Sequence, residues 1–296
     1  MNLLQPGSAG TSSEIVLYVL VLVIGACIGS FLNVVIYRVP AQKSLLTSST
    51  CPGCSAAIPF YYNLPIFGWF ILRGKCASCG STIAWRYPAV ELLTAIVFVC
   101  VYWQFGLTPF LPFALVFCSV MIALIFIDAD HMILPNVITY PLVVFAIAAR
   151  AALPLIWPES TYFSDVKAAP LNSLFYLGYS PVVVNLFGAL LGATLGAGSL
   201  WLIGVIWKAL RKVDAMGLGD VKLLLGIGAF LGWRLTLLTI FLGAFTGALA
   251  GIIVLFKSED KNLQTQIPFG IFLGAGAIIS LLFGDALIGW YLGQFY

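Results

Sequence analysis

The sequence predicts an all-α polytopic membrane protein with about eight transmembrane helices, on the strength of three observations. Hydrophobic residues make up 61% of the 296 and charged residues 8%, whereas a soluble domain carries about 25% charged residues. Mean hydropathy is +1.07. Apolar runs near the length of about 20 residues that a spanning helix needs recur along the whole chain, and Lys and Arg collect on one side of them.

The apolar runs fall at 14–38, 89–106, 110–128, 133–156, 181–209, 217–233, 235–256 and 268–292. No basic stretch precedes the first run and no A-x-A site follows it, so it reads as a retained anchor rather than a cleaved signal peptide. With the segment after it placed in the cytoplasm, eleven basic residues share that side, Arg38, Arg73, Lys75, Arg86, Lys222 and Lys261 among them. Only Arg150, Lys167 and Arg234 fall opposite. Both termini are therefore expected outside and residues 39–88 inside. The net charge of +3 follows this topology and forms no nucleic-acid patch; the partner that composition implies is the lipid bilayer. Oligomeric state is not written in the sequence.

Residues 39–88 form the one sizeable soluble segment on the inner side, dividing the chain into an anchor (1–38), a module (39–88) and a transmembrane domain (89–296). The module contains "CPGC" at 51–54 and "CASC" at 76–79, two C-x2-C pairs 21 residues apart. Four thiolates at this spacing predict a closed tetrahedral zinc site on Cys51, Cys54, Cys76 and Cys79, from which a small module gains folding energy. Disulfides are the alternative, and a cytoplasmic location argues against them. A four-thiolate site leaves no open coordination position, so the metal is read as structural. Cys27, Cys100 and Cys118 lie singly in apolar runs as small hydrophobes. The 157–180 segment reads as an outer connector.

Acids are costly at membrane depth and mark functional positions; the candidates are Glu91, Asp128, Asp130, Asp220 and Asp285. Asp128 and Asp130 are two apart at the inner end of the third run, so on a helix they face opposite ways, and one is expected at the boundary. Pro135 then turns the chain back. Asp220 also lies near the inner start of its run, placing it at the depth of Asp128. Two carboxylates meeting in a low-dielectric site share one proton, the acid–base device of aspartic proteases. The same pair also suits a proton relay in a transporter. Gly217 and Gly219 would let a partner helix or an extended substrate come close to Asp220, and a loosened helix start would leave free N–H groups beside it. Lys222 is expected to snorkel to the interface or contact substrate. His131 is the sole histidine, which excludes His-based triads.

Seven ordered motifs carry a resemblance: "GSFLNVVIYRVP" (29–40), the paired knuckles, "RGKCASC" (73–79), "RYPAVELLTA" (86–95), "DADHMILPN" (128–136), "GLGDVK" (217–222) and "IPFG" (267–270). From about residue 25 to 275 the chain resembles the type IV prepilin peptidases, bifunctional leader peptidases and N-methyltransferases of the bacterial inner membrane. The resemblance implies GxGD-type intramembrane aspartyl protease chemistry with Asp128 and Asp220 as the pair and Asp130 in support. It implies prepilin or pseudopilin substrates, from type IV pilus or type II secretion systems, cleaved after a Gly at the cytoplasmic face. It also implies methylation of the new N-terminus, commonly Phe, from S-adenosylmethionine.

No glycine-rich nucleotide loop accompanies that second activity. Its candidates are Arg73, Lys75, Arg86 and Glu91, which read equally well as interfacial anchors, with Arg86 and Glu91 able to pair. Residues 39–50 are short for this family, so a peptidase without methylation is one alternative, and a proton-coupled transporter is another of a different class.

Overall fold

The computed structural model describes residues 12–157, 163–212, 217–257 and 268–294. Lys261 and Ile267, a basic position and a motif residue above, lie outside them. The chain divides into two compact units, Met1–Ser119 and Val120–Tyr296. Seven helices among the described residues are long and apolar enough to cross a membrane. A chain in lipid must satisfy its backbone internally, and helices do so within one segment.

In the first unit, α1 (Ser12–Arg38) packs along α3 (Arg86–Phe105). The contact is close because Gly25 and Gly29 stand against the α3 backbone; a Cβ on Gly29 would meet the Cα of Glu91 at 2.6 Å. Between them lie a 3-10 turn (Phe60–Asn63), the short helix α2 (Phe67–Ile71) and two antiparallel bridges, Thr50 with Ala57 and Lys75 with Thr82. Arg38, read above only as a topology marker, is buried and ties down the linker that follows it. Its guanidinium donates to the carbonyls of Ser44 (3.0 Å), Thr47 (2.7 Å) and Ser48 (3.1 Å) and to the Thr47 hydroxyl (2.8 Å).

Helix α4 (Leu111–His131) ends as Met132 turns left-handed at φ 53°. The second unit then holds α5 (Asn136–Ile156), a short α6 (Leu171–Tyr176), α7 (Pro181–Arg211), α8 (Leu218–Lys257) and α9 (Phe269–Leu292). Ser180 caps α7 by accepting from Val183 N, with Pro181 in the first turn, a favoured helix start.

Eight apolar runs become seven helices because the predicted spans at 217–233 and 235–256 fall in one helix, α8. It is interrupted at Gly232, where φ 80° and ψ 174° leave helical space. Only glycine adopts that conformation without strain. The segment before the break has about 14 residues and so runs about 21 Å, shorter than the ~30 Å hydrocarbon core. Gly192 of α7 and Gly228 of α8 bring the two backbones into direct contact, the close approach that small residues permit between membrane helices.

Candidate functional site

Asp128 occupies the last turn of α4 and is 4% exposed. Asp130, two residues on, is exposed, in agreement with the opposed faces expected of that spacing. The Asp128 carboxylate accepts from Ile271 N at 3.2 Å, with the Gly270 N–H alongside. These donors belong to the first turn of α9, whose N–H groups lack intrahelical partners and carry the positive end of the helix dipole. Free N–H groups were expected from the helix that carries Asp220; a different helix brings them. Pro268 opens α9, so the "IPFG" motif builds the acceptor site for Asp128.

Asp220 sits in the first turn of α8, half-buried, and close enough to feel the charge of Asp128. Its two glycines differ in use. A Cβ on Gly219 would meet the Leu134 side chain at 3.2 Å, and a Cβ on Gly270 would meet Leu134 at 3.2 Å and Asp128 Oδ2 at 2.8 Å. Leu134 of "DADHMILPN" thus fills the space both glycines leave and joins the three motifs. Gly217 is exposed, with only Gly219 N and Asp220 Oδ2 near its missing side chain. The Lys222 ammonium donates to Asn136 Oδ1 at 2.9 Å and lies 5.4 Å from the Tyr140 ring centroid. Asp285 is exposed.

The four cysteines of the first unit's module converge, their sulfur atoms all within 4.8 Å of one another. Cys51 Sγ and Cys79 Sγ are 3.8 Å apart, matching the ~3.8 Å edge of a tetrahedron with Zn–S bonds of ~2.3 Å. The two knuckles repeat one backbone design. Cys51 N bonds Ala56 O as Cys76 N bonds Ser81 O, and Ser55 N bonds Cys51 O as Gly80 N bonds Cys76 O. Ser55 and Gly80 hold the matching left-handed positions, φ 58° and 72°. Ser81, absent from the sequence prediction, bridges the pairs: its hydroxyl is 3.1 Å from Cys79 Sγ and 3.5 Å from Cys51 Sγ. That hydroxyl, helped by the Cys54 and Gly53 backbone, lowers the Cys51 thiol to about 6, and it lowers Cys79 as well. Cys54 is pushed up to about 11: its bond from the Ala56 backbone is outweighed by the neighbouring thiols and by desolvation. The donor set fits zinc, which takes thiolates and would hold all four deprotonated.

Residues 23–105 match the bacterial peptidase A24 N-terminal domain, and residues 115–252 match the type IV leader peptidase family. A prepilin leader peptidase/N-methyltransferase of Pseudomonas aeruginosa is 33% identical over 302 residues, covering 92% of each chain. One from Legionella pneumophila is 31% identical, covering 94% of this chain and 95% of its own. The chain belongs to the type IV leader peptidase family. A relative of the same name from Neisseria gonorrhoeae is 35% identical over 78% of this chain and 80% of its own. No solved structure matches the chain.

Within this leader peptidase chain the remaining candidates separate. Arg73 and Lys75 lie exposed beside the second knuckle and Arg86 opens α3. Glu91, by contrast, is 8% exposed and accepts from Ile66 N at 2.6 Å. Sequence reasoning missed Ile271, because a backbone N–H has no letter of its own. It also missed Arg150 and Asp165, both 0% exposed and joined at 3.0 Å.

Proposed function

We propose that this chain is a multi-pass inner-membrane protein that removes the short basic leader of prepilins or pseudopilins by aspartyl chemistry and then N-methylates the new terminus. Asp128 and Asp220 form the acid–base pair. One carboxylate activates a water against the peptide carbonyl, and the other, holding the shared proton, donates to the carbonyl oxygen. The observation that carries this reading is Asp128, buried and fixed by the first turn of α9, within electrostatic reach of Asp220. Gly219 and Leu134 set the approach of the two helices, and Gly217, Asp130 and Lys222 support the site from its exposed side. The cleavage site lies at the cytoplasmic face, where the basic leader stays while the apolar segment remains in lipid.

Cys51, Cys54, Cys76 and Cys79 hold a structural zinc that supplies folding energy and no reacting ligand position. Metal analysis of the purified chain is expected to give one zinc, lost in a Cys54→Ser/Cys76→Ser variant. S-adenosylmethionine serves as methyl donor, within the first unit.

The test is a prepilin peptide with S-adenosylmethionine, incubated with purified protein in lipid and read by mass. Wild type is expected to release the leader and add one methyl group, and Asp128→Asn and Asp220→Asn to release none. Cleavage by either variant at the wild-type rate would overturn the pairing.

A further inference from the structure

We infer that Glu91 receives the α-amino group of the cleaved substrate for methylation, beside an open cleft between α1 and the 63–66 turn. This rests on the methylation reading above, and it supplies the site which that reading lacks.

Glu14 and Glu91 are the two acids of residues 1–119. Glu14 is in the first turn of α1, 15 residues and so about 22 Å along the helix from Gly29, which packs on Glu91. An ammonium group that enters this unit from the module side therefore has one carboxylate to meet.

The surroundings of Glu91 are built for such a guest. Its carboxylate accepts from Ile66 N at 2.6 Å, and the side chains of Ser30 and Asn33 lie beside it. Asn33 is itself oriented by donating to Tyr87 O at 3.0 Å. An ionised carboxylate offers about four acceptor positions, and the Ile66 N–H fills one of them. The Ile66 N–H and the neighbouring Ser30 and Asn33 side chains are all neutral. A buried carboxylate with neutral neighbours is costly, and a cation at a free acceptor position removes that cost.

Ile66 has φ 64° and ψ −57°, with Phe67 N bonded to Pro65 O at 2.6 Å. This is the strained γ-turn, in a region that a β-branched residue rarely enters. The strained conformation aims the Ile66 N–H at Glu91, and strain of this kind collects at functional positions.

A cavity of about 330 Å³ adjoins the same turn, lined by Cys27, Ser30, Phe31, Val34, Asn63 and Pro65. Ser30 belongs to both the cavity wall and the Glu91 network, and Asn63 and Pro65 closely precede Ile66. Four wall residues are apolar and two are polar. That lining suits an N-terminal residue with an apolar side chain and a charged amine.

The step balances without a further reactant beyond a sulfonium methyl donor. The amine lone pair attacks the methyl carbon as the C–S bond breaks. The C–S electrons return to sulfur, which leaves as a neutral thioether, and Glu91 holds the proton that the nitrogen gave up before the attack, leaving the methylated amine as an ammonium. The bound ammonium must lose one proton before the attack to free that lone pair. The transfer to Glu91 is uphill between ordinary values of about 7.7–8.0 and 4.3, and burial, which disfavours the charged carboxylate, narrows the gap.

The test uses the full chain in lipid with a leaderless peptide bearing a free N-terminus and S-adenosylmethionine, so that methylation is read without prior cleavage. Glu91→Gln keeps the shape and is expected to lower methylation about 100-fold near pH 7, the low end for general-base catalysis. The deficit should narrow as pH rises above about 8 and the amine deprotonates unaided; Glu91→Asp should restore part of the rate. Leader cleavage and zinc content report the fold. Cys27→Phe, which fills the cavity without touching Glu91, should raise KM for the peptide about tenfold, equivalent to about 1.4 kcal/mol. Methylation by Glu91→Gln within twofold of wild type would overturn the inference, as would equal loss of both activities, or a deficit that ignores pH. A wild type that cleaves yet never methylates would overturn the underlying reading and this inference with it.

Discussion

The two ends of the first segment of α8 carry charge in opposite ways. At its start, Asp220 lies half-buried within reach of a second acid, Asp128, whose partners are backbone N–H groups of α9. At its end, Arg150 of α5 lies 0% exposed against Asp165, bonding both carboxylate oxygens at 3.0 and 3.1 Å. Arg150 also donates to Phe230 O from Nε and Nη2, at 3.3 and 3.2 Å, and lies 4.0 Å from the Phe163 ring centroid. Gly232 breaks the helix two residues beyond Phe230, and a broken helix exposes carbonyls that something must satisfy. The clamp is neutral, enclosed and saturated; the acid pair is like-charged and partly open. The first arrangement holds a helix in place, whereas the second is the one proposed to move a proton.

Substitutions at the two ends should therefore fail in different assays. Asp220→Asn is expected to lower cleavage more than about 1000-fold, within the range for general acid–base catalysis, while the thermal unfolding midpoint stays level or rises. A drop in both would make the pair structural. Arg150→Met is expected to destabilise by about 3–5 kcal/mol, the cost of stranding one partner of a buried pair. Arg150→Met/Asp165→Leu should recover much of that stability, since apolar replacement of both is often tolerated; a double variant no better than the single would refute the clamp.

One glycine-to-alanine change at each end sharpens the contrast. Gly232→Ala places a side chain at φ 80° and drives its Cβ into Asp165 and Arg150, so stability should fall by about 2–3 kcal/mol. In Gly270→Ala the Cβ would reach Asp128 Oδ2 at 2.8 Å and weaken the bond from Ile271. About 1.4 kcal/mol lost there predicts a tenfold lower kcat with little change in unfolding.

Much of the acid end was legible in the sequence and little of the clamp was. Asp128, Asp220, their glycines and the four cysteines appear as ordered letters at fixed spacing, and runs of about 20 apolar residues announce the helices. Arg150 instead looked like one of three outer-side basic residues, and Asp165 fell within a segment read as a connector. The structure buries Phe163 and Asp165 of that segment at 7% and 0% exposure. No spacing rule links a helix residue to a loop residue 15 positions away. The break at Gly232 hid among 29 glycines, most of which serve helix packing or turns. The strained Ile66 turn was hidden for a different reason: its meaning depends on the direction of one N–H.

Lys222 is the residue on which the contrast is most finely poised, because it lies two positions from Asp220 yet is satisfied elsewhere. Its bond to Asn136 and its place beside the Tyr140 ring link the start of α8 to the start of α5. Exposed charge-assisted contacts of this kind contribute about 1 kcal/mol or less. Lys222→Met keeps the apolar stem, so it should shift unfolding by no more than that and leave cleavage within about threefold. A 100-fold loss of cleavage at unchanged stability would place the ammonium with the acids. The first turn of α8 would then carry two charged groups in the chemistry, and the division between holding charge and working charge would run between Lys222 and Asn136 rather than along the helix.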